Sequence, residues 1–217
     1  MNDQRLNFRD LRPRRELLVL ILLALPLGGC TANTNRAEIS YSTQNRIYLD
    51  DDAGGDRPPT ANTLYAMARI LSAQGKDDKC VFVLSRIIAE YPRFMPAYCE
   101  LAELHLRHHR NDDALATLSA GLHVSADDPI LLNNLGMCQL LQGDYDEALS
   151  MFTRAAGIVP QDARYRANMA ASLGMMGRYQ ESLSLYKQVV LPEDADFNVS
   201  ALRGARTDRA MLRDPNL

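Results

Sequence analysis

Apolar and polar positions divide this chain of 217 residues into three regimes. Leu17 to Leu25 is an unbroken apolar run, Thr31 to Thr60 is polar with no sustained period, and from Ala61 onward apolar positions recur at helical spacing. The last regime is clearest between Pro129 and Asp162. There Leu132, Leu135, Leu149 and Phe152 are spaced to fill the seam between two antiparallel helices, while Gly136 and Ala148 are small enough to let those helices approach closely. Gly143 ends the first helix, because a left-handed backbone at a helix C-terminus is cheap only for glycine. Asp144, with Glu147 three residues on, is placed to cap the second helix, and Pro160 stops it.

Steps of 34 residues reproduce the pattern three more times without an insertion. Ala61 to Phe94 supplies Leu64, Met67, Ala68, Gly75, Cys80, Leu84 and Pro92; Met95 to Asp128 supplies Tyr98, Leu101, Ala102, Ala114, Leu118 and Gly121. Ala163 to Asp196 supplies Met169, Ala170, Gly177, Tyr179, Ser182 and Tyr186. The pattern predicts helix pairs that break at Gly75, Arg110, Gly143 and Gly177, and no β-sheet. Phe197 to Arg213 keeps helical composition, with Val199, Leu202, Ala205 and Leu212 on one side and Arg203, Arg206, Arg209 and Arg213 on the exposed one. A terminal repeat leaves an apolar face that something must cover, so this segment is expected to be a capping helix ended by Asp214-Pro215.

Counted from Pro129, Leu135, Gly136, Ala148, Phe152 and Pro160 stand at positions 7, 8, 20, 24 and 32 of the unit. In these positions the chain resembles the tetratricopeptide repeat, W-x2-L-G-x2-Y…A-x3-F…P, with Leu132 and Gln139 in place of two aromatic residues. The resemblance implies an all-α solenoid of four helix-turn-helix repeats, residues 61–94, 95–128, 129–162 and 163–196, with a C-terminal capping helix and tail in 197–217. It also implies a concave groove, lined by the first helix of each repeat, that holds a segment of a partner protein. The family's groove positions fall here on Tyr65, Arg69, Cys99, Glu103, Arg107, Asn133, Asn134, Met137, Leu141, Arg164, Asn168 and Met175. Asn134 and Asn168 match an asparagine that, in some members, forms a ladder bonding an extended peptide. Ala66 and Glu100 hold that place in the first two repeats. The alternative, equally weighted, is that these amides bond solvent or a neighbouring helix.

The start of the chain reads as a targeting segment. Five arginines precede the apolar run, which is too short for a bilayer core that needs roughly 20 residues. Residues 1–29 are therefore expected to be a signal peptide, and Leu27-Gly28-Gly29-Cys30 resembles the bacterial lipobox, at which Cys30 is lipidated and becomes the mature N-terminus. An ordinary secretory signal with a coincidental cysteine is the alternative. Two acyl chains give stable anchoring where one does not. Thr31, rather than Asp, after the cysteine implies by resemblance the outer membrane, periplasmic side. Residues 30–60 are then the lipidated cysteine and a flexible tether, with a root-mean-square span of roughly 30 Å.

Charge and candidate chemistry narrow the picture further. Removing the leader takes five of 24 basic and three of 27 acidic residues and leaves a net charge of −5, with no basic stripe of the kind nucleic acid favours. Cys80, Cys99 and Cys138 remain, an odd number for an oxidising compartment. Cys80 takes a close-packing position, where a buried free thiol is expected. His105, His108 and His109 have a spacing that can place two imidazoles on a metal, but no second ligand cluster accompanies them, and structural roles are favoured. No H-E-x-x-H, G-x-S-x-G, phosphate loop or paired Cys-x-x-Cys is present. A non-catalytic protein without metal or cofactor is expected. The lipobox, polar tether and repeats, with Asn133 to Gly136 and Asp162 to Asn168, resemble the tight-adherence (Tad) pilus assembly lipoproteins. That resemblance implies a scaffold whose partner is a secretin, pilus or envelope component. A type IV pilotin and an adaptor in cell-envelope or peptidoglycan maintenance stay open.

Overall fold

The 34-residue step is the spacing of the helix starts. A computed structural model describes residues 58–213, with side chains to Arg209. First helices begin at Ala61 (α1, Ala61–Ala73), Met95 (α3, Met95–Arg107), Pro129 (α5, Pro129–Gln142) and Ala163 (α7, Ala163–Met176). Their antiparallel partners are α2 (Asp77–Glu90), α4 (Asn111–Val124), α6 (Tyr145–Ile158) and α8 (Tyr179–Tyr186), and α9 (Pro192–Arg213) follows. The described residues are all-α, without a strand, and stack pair on pair as a solenoid. The leader, Cys30, the tether as far as residue 57 and the C-terminal tail lie outside the described residues, as do the side chains of Leu212 and Arg213.

Each pair turns through one left-handed residue at the same repeat position: Gly75 (φ 67°), His109 (φ 58°), Gly143 (φ 98°) and Gly177 (φ 89°). The second turn therefore pivots on His109, one residue before Arg110, where the sequence pattern placed the break. A side chain in that conformation costs roughly 1–2 kcal/mol.

Side-chain caps close three of the four first helices, all but α3, and none of the second helices α2, α4, α6 and α8. Asp128 accepts from the backbone N–H groups of Ile130 and Leu131, both at 2.9 Å, Asp162 accepts from Arg164 N–H at 3.0 Å, and Thr60 caps α1. Asp144 precedes α6 as expected but makes no capping hydrogen bond, which corrects the role assigned to it above. The second helices instead carry acidic residues in their first turns, Asp77-Asp78, Asp112-Asp113, Asp146-Glu147 and Glu181, where negative charge meets the positive end of the helix dipole.

Within the third pair, a Cβ on Gly136 would stand 2.7 Å from Cε1 of Phe152. Only a hydrogen atom fits there. Ala148 and Phe152 are fully buried beside it, so the small-residue positions serve the close approach that their spacing suggested.

The fourth repeat departs from the others. Its second helix ends early, at Tyr186, and Pro192 opens α9 instead of closing the repeat, so the last helix starts five residues before Phe197. Proline suits a first helical turn because its φ is preset and the N–H it lacks has no helical partner there. Ala195, Val199, Leu202 and Ala205 bury against α7 and α8. Arg203 and Arg206 are exposed as expected, but Arg209 is half-buried. It reaches back to donate to the Gln142 carbonyl at 2.9 Å and to the Tyr145 hydroxyl. A guanidinium is favourable there, at the C-terminal end of α5. Arg203 adds a cation–π contact, 4.6 Å from the Tyr179 ring centroid.

Candidate partner-binding groove

Four first helices side by side present one face each. Because the step is constant, equivalent residues line up across the array and meet residues about 35 positions away. Asn168 Nδ2 donates to Asn133 Oδ1 at 2.7 Å, joining α7 to α5, and Asn133 Nδ2 makes a long contact of 3.5 Å to Asn134 Oδ1. Asn133 and Asn168 are only 8% and 7% exposed. Met137 and Met175 are buried with them, in a core that also holds Ala167, Ala171 and, from α9, Val199, Leu202 and Ala205. Cys99 is buried further along. These residues form a closed floor.

The accessible side chains lie elsewhere on the same helices. Arg69, Arg107 and Leu141 are exposed, and Tyr65, Glu103, Asn134 and Arg164 are half-buried. Tyr65 donates to Glu100 Oε2 at 3.3 Å and packs edge-on against Phe94, with 5.3 Å between ring centroids. Arg107 Nη2 donates to Ser72 Oγ at 3.0 Å, tying α3 to α1. Burial, and then the charge of Glu100, push the Glu103 carboxyl above its ordinary range, with Arg107 opposing. At the far end, burial raises the Asp162 carboxyl, but the Arg164 guanidinium, 2.6 Å away, and the Arg164 N–H outweigh it and leave Asp162 below the usual range.

The face thus divides into a charged N-terminal half and a C-terminal half of amides and apolar side chains, whose deepest residues are occupied by one another and whose far end carries the Arg164–Asp162 pair. Glu100 holds the asparagine position of the second repeat. In the structure it accepts from the Tyr65 hydroxyl, which ties α3 to α1.

No group of three or more potential ligands able to hold a metal occurs among the described residues. His108 Nε2 pairs with Asp77 Oδ2 at 2.6 Å, and burial, with Arg110, lowers His105. Cys80, Cys99 and Cys138 are buried, and burial raises Cys80 and pushes Cys138 up to about 12. Such thiols are unreactive. No helix among the described residues is long and apolar enough to cross a membrane.

Three descriptions of the tetratricopeptide repeat family match the chain, over residues 62–93, 99–163 and 139–205. Among curated proteins, human protein O-mannosyl-transferase TMTC1 is 22% identical over 169 residues, covering 76% of this chain and 18% of that protein. The chain spans less than a fifth of the length of the curated relatives it matches. Among solved structures, a tetratricopeptide repeat protein from Parabacteroides merdae aligns with a TM-score of 0.60 at 17% identity, covering 72% of this chain and 63% of that one. YrrB, described as a tetratricopeptide repeat protein with an unusual peptide-binding site, aligns with a TM-score of 0.55 at 17% identity, covering 72% and 88%. At such identities the likeness is one of fold.

Proposed function

This chain is built of tetratricopeptide repeats over residues 62–93 and 99–205, and from that premise we propose that it is a non-catalytic scaffold holding a segment of a partner protein in its concave groove. The observation that carries the reading is the strip of accessible side chains on first helices, Tyr65, Arg69, Glu103, Arg107, Asn134 and Leu141, over a floor locked by the Asn168–Asn133 bond. A locked floor presents the strip in one geometry, which lowers the ordering cost of binding. The Asn134 amide can donate to and accept from an extended backbone, Arg69, Glu103 and Arg107 select charge, and Leu141 offers apolar contact. The peptide-binding site named for YrrB, on the same fold, supports the reading. A photo-crosslinker at Leu141, in the cell envelope, is expected to trap the partner, and Arg69→Ala with Arg107→Ala should weaken its recovery at least tenfold. Trapping from Arg203 on α9, with none from Leu141, would place the site outside the groove.

We further propose that Cys30 carries lipid that holds the scaffold at the outer membrane, periplasmic side, where it assists assembly of a pilus or secretion apparatus of the tight-adherence kind. The leader, the Leu-Gly-Gly-Cys run and the polar stretch to Thr60 support this. Cys30→Ser should abolish lipid attachment and leave precursor or released protein; a variant that still carries lipid and fractionates unchanged excludes it. A secretin or pilus component trapped from Leu141 supports assembly, whereas a peptidoglycan enzyme moves the assignment to an envelope adaptor.

A further inference from the structure

The two ends of the array are finished differently. At the C-terminal end α9 covers the last pair. At the N-terminal end, Met67, Ile70 and Phe82 stand 50%, 58% and 70% exposed. Met67 and Phe82 line a groove of about 350 Å³ between α1 and α2, whose other apolar residues are Leu64, Leu71 and Val83. An uncovered terminal face of this kind is a solubility problem in a repeat array.

We propose that the chain covers this groove with its own segment Ile47-Tyr48-Leu49-Asp50-Asp51-Asp52. Between Cys30 and Thr60, Ile47-Tyr48-Leu49 is the only run of three large apolar residues. The acidic triplet follows it directly, and the groove supplies two cations, Lys79 and Arg86, against one acid, Asp78. Arg86 is shared with Glu90 at 2.7 Å, so Lys79 is the principal counter-charge. The entry point fits as well. The Tyr91 hydroxyl donates to the Pro59 carbonyl at 2.8 Å, fixing the incoming chain against the end of α2. Leu49 lies nine residues before Pro58, within a reach of about 30 Å, and Gly54-Gly55 between them permits a reversal. A thirteen-residue α1 is about 20 Å long, and six residues in extended form span about the same.

The proposal is independent of the groove reading, because Phe82 belongs to a second helix and none of the partner-facing residues lines this groove. Two experiments on the full chain test it. A benzophenone amino acid replacing Phe82 should crosslink within the same chain to the peptide holding residues 47–52. A crosslinked dimer would assign the face to a second copy, another protein would assign it to a partner, and no adduct would leave it uncovered; each of these overturns the proposal. The pair Ile47→Asp and Leu49→Asp, outside the helical array, should speed amide exchange in residues 64–71 and 79–86 at least tenfold while leaving α5 and α6 unchanged. Unaltered exchange there also overturns it.

Discussion

Gly136→Ala sets two opposed effects against each other, and the structure decides between them. In an unencumbered helix the change is favourable by about 1 kcal/mol, since alanine is the better helix former. Here the added Cβ would meet the Phe152 ring at 2.7 Å from Cε1 and 3.0 Å from both Cδ1 and Cζ. Ordinary carbon contacts are about 3.5–4.0 Å, so the ring must retreat by about 1 Å. Phe152 is fully buried, and overpacking a close-packed interior costs about 1–3 kcal/mol. Three ring atoms inside contact distance argue for the upper end, giving a net loss of about 2 kcal/mol and a fall in Tm of roughly 4–8 °C for an array of this size. Gly204→Ala is the internal control: it lies within α9 and its added Cβ meets nothing within 4 Å, so it should raise Tm by roughly 2–4 °C. Thermal unfolding followed by circular dichroism measures both, and Gly136→Ala combined with Phe152→Leu should lose less than the sum of the single changes. If Gly136→Ala stabilises the protein as Gly204→Ala does, the approach of α5 and α6 is not what demands glycine.

Three further outcomes are expected. His109→Gly should stabilise by about 1 kcal/mol, because His109 alone among the four turn residues carries a side chain at positive φ; an unchanged melting curve would show that the turn stores no such cost. Asp128→Ala should cost about 1–2 kcal/mol through two lost capping bonds, and Asp144→Ala less than about 0.5 kcal/mol; equal losses in chemical denaturation would contradict the assignment of caps to first helices. Glu103, raised by burial and by Glu100, contributes stability that is fully present below its unfolded pKa of about 4.3 and is lost as pH rises through its higher folded value. Glu103→Gln should therefore be the more stable form at neutral pH, with the difference closing in acid; a difference that persists below about pH 3.5 would trace to shape rather than charge.

The helix starts at Ala61, Met95, Pro129 and Ala163 were legible without coordinates, as were three of the four turn residues. Helix period, proline stops and the low cost of left-handed glycine are short-range steric effects, carried by residues within a turn or two of one another. His109 shares repeat position 15 with the three glycines, so the register put it in the turn, but the break was set one residue later, at Arg110, because a side chain at positive φ is uncommon. Asp144 shows the converse: a residue of the right type at the right place makes no cap, and the first-turn acids Asp146 and Glu147 supply the favourable charge instead. Which groove residues remain open depended on packing between repeats. Asn134 and Asn168 are equivalent by sequence, yet Asn168 is buried and spent on Asn133 while Asn134 stays half-exposed. Arg209 was assigned to solvent by its helical face and instead holds the Gln142 carbonyl, 67 residues away. The sequence by itself determined the repeat and its register, and through its resemblance to the family it supplied the candidate groove residues. The tertiary structure alone decided which of them are accessible, because that depends on how each pair rotates against the next and on where α9 comes to rest, contacts made at separations of 34 residues and more that no local pattern encodes.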